Sequence, residues 1–483
     1  MEIKKSSIKK NYIMNMLLTM SSFIFPLITF PYVSRVLLPS GTGKVAFATS
    51  LVSYFNIFAQ LGIPTYGIRA CAKVRDDRQK LTQTAQELLL INIFMNIISY
   101  TVLIFVVFQN SKLYSDKNLI FVISCTIFLT SIGMEWIYKA LEQYTYITVR
   151  SLIAKIIALV FMFFFVKTKH DYVIYGGITI LASSASNIFN FINIHRFIDL
   201  KLQSSYNFKQ HLKPVFVFFA MSCATTIYTH LDTLMLGFIA NEQEVGYYNA
   251  AVKIKTILVS IVTSLGTVLL PRVSYYVEHD MLVEFWKICK KSLNFIFIIS
   301  IPLTIYFILF AKNGIIFLSG EAFMGSILPM KIIMSTLILI GLTNLLGIQI
   351  LVPLGKEKYV LISVVTGAIT NLIINYLLIP YYHSVGAAIG TLVAEFVVFV
   401  VQCFILKDKF KLLFSNISYY KILIASFFGM ILSKFILFIN LNGFYFLALT
   451  SIIFFGTYVG CLIIMKEKLV LELINDFKAK IRR

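Results

Sequence analysis

The sequence predicts an all-α integral membrane protein of about fourteen transmembrane helices, built as two pseudo-symmetric six-helix lobes followed by two C-terminal helices. Three observations predict it. Long runs such as Val45–Ile68, Leu88–Ser111, Tyr172–Ile194, Ile332–Gly355 and Tyr359–His383 carry no charged residue. Each is long enough to cross a hydrocarbon core about 30 Å thick, which takes roughly 20 residues of helix. The chain is 58% hydrophobic and only 13% charged, with a mean hydropathy of +0.83. A soluble chain is roughly a quarter charged, so this balance belongs to a membrane protein rather than to a large soluble core. Lastly, lysine and arginine gather in every second connection.

Taken in order, the predicted spans are 12–37, 43–66, 85–108, 117–138, 146–166, 172–194, 212–238, 245–270, 290–311, 326–353, 359–379, 384–406, 417–439 and 443–465. Lys4, Lys5, Lys9 and Lys10 precede an apolar run without a small-residue cleavage site, which reads as a first membrane helix and not a signal peptide. About thirty of the 43 basic residues fall at the N-terminus, near 69–80, 139, 196–213, 272–291, 356–358 and 407–421, and at the C-terminus. The alternate connections hold Lys44, Lys112, Lys117, Lys167, Lys169 and Lys312. Basic residues stay on the cytoplasmic side, so both termini are expected there. The net charge of +21 is thus a topology signal and does not call for nucleic acid.

The first turn, Leu38-Pro-Ser-Gly-Thr-Gly, and the turn after the seventh span, Phe238-Ile-Ala-Asn-Glu-Gln-Glu-Val-Gly, each place a glycine (Gly43, Gly246) at the start of the next helix. The second and eighth spans then close near Pro64 and Pro271, each with an arginine beyond it (Arg69, Arg272). The expected organisation is residues 1–197 for the first lobe, 198–411 for the second, and 412–483 for the last two helices and a cytoplasmic tail. Transporters are commonly built from such repeats.

The six cysteines are scattered and form no Cys-x-x-Cys pair; the six histidines show no metal-ligand spacing. No polar segment is large enough for a soluble catalytic domain. No cofactor or metal is expected. The informative residues are ionisable groups inside spans, which are costly in lipid. They are Arg35 in the first span, Arg150 and Lys155 in the fifth, Asp232 in the seventh, Lys253 and Lys255 in the eighth and Glu395 in the twelfth. Glu135, four residues before Lys139, reads as half of a local ion pair, and Lys331 and Lys434 as snorkelling residues. Arg35 reads equally as a snorkelling residue, and Arg150 also as a topology signal. Lys253 and Lys255, two apart, point about 200° from one another and cannot share one surface squarely. Because cations outnumber Asp232 and Glu395, the expected lining suits an anion: Arg offers a rigid donor fork and Lys a point charge. Asp232 and Glu395 are candidates for ion coupling or for a static ion pair or packing bond. Pro26 and Pro31 are expected to bend the first helix.

Several segments resemble Wzx-type polysaccharide flippases of the multidrug/oligosaccharidyl-lipid/polysaccharide exporter superfamily. They are Phe30-Pro-Tyr-Val-Ser-Arg-Val, Gly62-Ile-Pro-Thr-Tyr-Gly-Ile-Arg, Gly133-Met-Glu-Trp-Ile-Tyr-Lys, Leu231-Asp-Thr-Leu-Met-Leu-Gly, Val245-Gly-Tyr-Tyr-Asn-Ala-Ala-Val-Lys, Asn371-Leu-Ile-Ile-Asn and Gly386-Ala-Ala. The resemblance covers essentially the whole chain. It implies a bacterial inner-membrane protein that moves an undecaprenyl-pyrophosphate-linked oligosaccharide (capsule, O-antigen or another surface polysaccharide) to the outer leaflet by ion-coupled alternating access. Implied partners are the lipid-linked oligosaccharide, membrane lipids, H+ or Na+, and polysaccharide polymerase and export machinery. The cations expected to meet the pyrophosphate are Arg35, Arg150, Lys155, Lys253 and Lys255. The last two helices look like those that form a lipid-tail groove in related lipid II flippases. The alternatives are a lipid II flippase, a multidrug or cation antiporter, and a membrane enzyme; the basic embedded set disfavours the antiporter and the short outer loops disfavour the enzyme.

Overall fold

In the computed structural model, residues 8–199, 201, 205–415, 418–438, 443–472 and 475 are described. Among them the chain is helical throughout. Its α-helices are α1 (Ile8–Gln60), α2 (Ile63–Lys73), α3 (Arg78–Gln109), α4 (Ser111–Ser115), α5 (Lys117–Gly133), α6 (Glu135–Ala140), α7 (Tyr144–Phe165), α8 (Tyr172–Ile180), α9 (Asn187–Asn193), α10 (Lys209–Ile239) and α11 (Glu242–Glu278). Then come α12 (Leu282–Leu309), α13 (Ala311–Ser319), α14 (Ile327–Met334), α15 (Thr336–Asn344), α16 (Glu357–Ile405), α17 (Lys407–Phe414), α18 (Tyr419–Lys434) and α19 (Gly443–Ile464). The backbone-satisfying helix is what a lipid environment demands of a spanning segment.

Among the described residues ten helices are long and apolar enough to cross a membrane, or eleven when α17 and α18 are taken together as one bent segment. This is fewer than the sequence expectation for definite reasons. The two longest helices, α1 and α16, contain a break at which the backbone leaves helical geometry, at Leu38 (φ 61°) and His383 (φ 47°). Both breaks fall between predicted spans, 12–37 and 43–66, and 359–379 and 384–406. Helix α5, at 17 residues, is short because Met134 (φ 38°) ends it four residues before the predicted boundary. Pro26 and Pro31 lie inside helical backbone, and the non-helical residue of α1 is Leu38. It precedes Pro39, and the proline ring disfavours helical geometry in the residue before it.

The chain divides into two compact units, one ending at Gly246 and the other starting at Tyr247. In the first, α1 is the hub: α3, α5, α7, α8 and α10 all pack on it. A core of Leu81, Leu88, Trp136, Ile147 and Val215 sits where α2, α3, α6, α7 and α10 meet. The fully buried Tyr138 donates its hydroxyl to Asn190 O at 2.7 Å, so a large side chain is buried without leaving its polar end unanswered. In the second unit α12 is the hub for α14, α15, α17, α18 and α19, while α16 packs on α14 and α15. Its core contains Phe285, Leu293, Ile296, Leu346 and Leu462. Aromatic rings of Tyr306, Phe310, Phe446 and Phe454 join α12 to α19. Outward-facing Phe164, Phe94 and Ile452 are the apolar exterior that lipid covers.

Candidate functional site

In the first unit, local breaks in helices bring charged groups together. Helix α8 runs into a π-helical turn, Leu181–Ala185, before α9 opens at Asn187. Just past this turn Arg150 of α7 finds two acceptors: Nη1 donates to Ser186 O at 2.6 Å and Asn187 Oδ1 at 3.1 Å. Its Nη2 donates to Glu135 Oε2 at 2.8 Å. Glu135, the first residue of α6, also takes Lys139 Nζ at 2.8 Å, the pairing its spacing predicts. Arg150 is buried, so its charge is answered by Glu135 and its fork fixes α7 to α6 and α9.

Lys155, further along α7, is half-buried and donates to Ser21 Oγ at 2.7 Å and Ser22 Oγ at 3.0 Å on α1. Among the described residues no carboxylate lies within ion-pairing distance of it. Arg35 is exposed, and its Nη1 donates to Pro31 O at 2.5 Å, one turn back on its own helix. Asp232 is buried on α10. Two residues before it, His230 Nδ1 is 3.2 Å from Ser50 Oγ of α1.

Two arrangements were missed from the sequence. One is a buried ladder of neutral groups. Gln60 Nε2 donates to Thr130 Oγ1 at 3.0 Å and Ser131 Oγ at 2.7 Å, and Asn96 Nδ2 donates to Ser131 Oγ at 2.7 Å. Asn92 Nδ2 donates to Ala59 O at 2.7 Å. The amides of Asn92 and Asn96, four apart in an apolar run, were the available signal. The other is Glu87, fully buried, whose Oε2 is 2.6 Å from His211 Nε2. Its Oε1 accepts from Asn207 N at 2.7 Å, and Tyr66 OH lies 2.9 Å from His211 Nδ1. This knot ties α2, α3 and the start of α10.

In the second unit, Lys253 and Lys255 are both half-buried on α11. Glu395 is buried on α16. The two halves of α16 fold back at His383, and Gly390 lies so close to Asn375 Oδ1 that a Cβ there would overlap it. Asn375 Nδ2 donates to Asn371 Oδ1 at 3.1 Å, and Tyr248 OH and Thr391 Oγ1 are 2.8 Å apart. Thr391 and Glu395, one turn apart, share a buried stripe. Amide, hydroxyl and carboxylate oxygens on one hairpin suit a proton or a hard monovalent cation. Among the described residues no group of three or more His, Cys, Asp or Glu could hold a metal ion. Separately, Ile305 of α12 and Leu423, Ile424, Ser426, Phe427 and Met430 of α18 line an apolar groove of about 410 Å³.

The family model described as "Polysaccharide biosynthesis protein" matches residues 8–277. A protein of Escherichia coli (strain K12) named "Putative O-antigen transporter" is 25% identical over 401 residues, 82% of this chain and 95% of its own length. A protein of the same name from Shigella dysenteriae is 24% identical, covering 80% of this chain and 97% of its own length. Among solved structures, lipid II flippase MurJ in an inward closed conformation superposes with a TM-score of 0.68 at 16% identity, over 92% of this chain and 99% of that one. An inward-facing multidrug resistance MATE family transporter of the MOP superfamily gives 0.64 at 14% identity, over 82% and 98%. These likenesses show the fold.

Proposed function

We propose that this chain, which belongs to the polysaccharide biosynthesis protein family, is a Wzx-type flippase of the MOP superfamily that carries a polyprenyl-pyrophosphate-linked oligosaccharide from the cytoplasmic to the outer leaflet. It is a multi-pass membrane transporter and not an enzyme. In this reading the membrane is the bacterial cytoplasmic membrane and both termini are cytoplasmic. Helices α1 and α16 each count as two passes, divided at Leu38 and His383, and α5 counts as one, giving the fourteen spans of the sequence reading. The six-plus-six-plus-two division, 1–197, 198–411 and 412–483, belongs to the same proposal.

The observation that carries it is Lys155. A half-buried ammonium in an apolar helix, held by two hydroxyls with no carboxylate at ion-pairing distance, keeps a charge available to an anion. Arg35, Lys253 and Lys255 supply further cations for the pyrophosphate, on α1 and α11. Arg150 supports them indirectly in this reading, since Glu135 already answers its charge. The α12–α18 groove, apolar apart from Ser426, suits a prenyl tail. Asp232 serves proton or sodium coupling in the first unit and Glu395 in the second, with the amide and hydroxyl oxygens on α16 near Glu395. The oligosaccharide itself passes on, outside the membrane, to polymerase and export machinery.

The test is replacement of a lipid-linked oligosaccharide flippase in a bacterial strain lacking its own. Expression of this chain with its cognate glycan genes restores surface polysaccharide and clears the lipid-linked repeat unit from the inner leaflet. Persistent inner-leaflet accumulation at normal protein level contradicts the proposal.

A further inference from the structure

We propose that α17 and the first turns of α12 form a binding site for the headgroup of an anionic phospholipid of the surrounding bilayer. Helix α17 is eight residues long and turns 58° away from α18. Leu413, fully buried, anchors it to the unit, and Phe414 lies against Phe297 of α12. Lys407 and Lys409, about 200° apart around the helix, flank it on two sides and are both exposed; Leu412 is 48% exposed and Phe404, one turn before the helix, 73% exposed. Lys407 Nζ lies 5.6 Å over the Phe404 ring, and Lys409 Nζ lies 6.0 Å over the Trp286 ring of α12. Lys287, the residue after Trp286, and Lys290, one turn beyond Trp286, are further cations on α12, and Lys290 Nζ donates to Ser415 Oγ at 3.2 Å just past the end of α17. Val283, at the opening of α12, is 78% exposed.

Charge decides the occupant. Lys291 is answered by Glu472 at 2.7 Å, but among the described residues none of Lys287, Lys290, Lys407 and Lys409 has a carboxylate at ion-pairing distance. The acids that share these elements are Glu284 and Asp408, so the excess is cationic. Ammonium groups interleaved with exposed Phe404, Leu412 and Val283 match a molecule that presents phosphate beside acyl chain, as a basic amphipathic helix does at a lipid interface. A basic loop that only set topology would need no exposed apolar side chains between its lysines. A soluble phosphate would gain nothing from them.

Trp286 is a built-in reporter, since the chain has two tryptophans and the other, Trp136, lies buried in the first unit. A Trp136→Phe protein is reconstituted in phosphatidylcholine bilayers containing either brominated-chain phosphatidylglycerol or brominated-chain phosphatidylcholine at equal mole fraction. Quenching should report a preference for the anionic lipid of about fivefold or more. Replacing Lys287, Lys407 and Lys409 together by Gln should bring it to about one, while Lys167→Gln with Lys169→Gln should leave it intact. Equal quenching by both lipids in the Trp136→Phe protein overturns the proposal. So does a preference that survives the triple replacement, or one lost equally with Lys167 and Lys169. Inorganic phosphate that abolishes the preference at an ionic strength where chloride does not assigns the lysines to a soluble anion and overturns it too.

Discussion

Gly43 and Gly246 stand against each other with no room for a side chain on either. A Cβ on Gly43 would meet the Glu242 carbonyl oxygen and lie 2.8 Å from the Gly246 nitrogen, and one on Gly246 would meet Pro39 O. The turn at Leu38 and the start of α11 are thus in backbone contact, with Lys112 Nζ 3.8 Å from Glu242 Oε1 beside them. The proposed topology puts both turns outside, and in the proposed cycle their contact serves as a closed outer gate. Overpacking costs about 1–3 kcal/mol, and about 1.4 kcal/mol shifts a two-state balance tenfold. Gly246→Ala should therefore raise the outside accessibility of a thiol placed near Ser40 about tenfold and reduce transport. Unchanged labelling would remove the gate from the account.

Arg150 and Glu135 predict a different phenotype. Removing Arg150 leaves Glu135 with Lys139 but strips the Ser186 and Asn187 oxygens of their buried donor, at a cost of about 1–3 kcal/mol, whereas removing the Glu135 charge leaves the buried guanidinium without its carboxylate. Arg150→Ala should therefore lower the melting temperature in detergent. Glu135→Gln should lower it as well, because the buried guanidinium loses its carboxylate, and the double replacement should be less than additive. Full stability of Arg150→Ala, with transport abolished, would return Arg150 to the substrate path.

Lys155→Ala should do the reverse. Two serine hydroxyls lose a donor, which costs about 1 kcal/mol or less in stability. The proposed substrate charge loses its partner, so transport should fall at least about tenfold. Lys155→Arg should recover part of it. Wild-type transport by Lys155→Ala would show that this ammonium is structural.

Asp171 gives a pH test outside the spans. It accepts from Lys167 N at 2.9 Å and Thr168 N at 2.7 Å. These two bonds, Lys167 first, hold its carboxyl below the usual carboxylate range. A depressed folded-state pKa contributes stability that is present above the unfolded value near 4 and lost as pH falls through the folded one. The melting-temperature gap between wild type and Asp171→Ala should be open at about pH 6 and close toward about pH 3. A gap that does not change with pH would deny the loop this charge.

The sequence disclosed what depends on neighbours along a helix and hid what depends on breaks. Glu135 and Lys139, one turn apart, could be paired on spacing alone. Arg150 could not be assigned its partners, because its contact with Ser186 needs a π-turn at Leu181–Ala185 that no residue pattern announced. The division of α1 was legible as a Gly-rich stretch, but the break falls at Leu38, ahead of Gly41 and Gly43, because Pro39 follows it. Glu87 and His211 were invisible as a pair, since their contact joins α3 to α10 across 124 positions. Neutral Gln60, Asn92 and Asn96 carried no charge to mark them, yet each buries an amide that donates a hydrogen bond.

The central claim is that a lipid-linked, pyrophosphate-bearing oligosaccharide crosses the bilayer through this chain and meets Lys155 on the way. The most direct measurement is translocation of a fluorescent undecaprenyl-pyrophosphate-linked oligosaccharide in proteoliposomes, read by quenching from outside. The account predicts protein-dependent exchange between leaflets, slowed at least about tenfold by Lys155→Ala and unaffected by removal of divalent metal. Exchange no faster than in protein-free liposomes, with folded protein and cognate glycan, would contradict it.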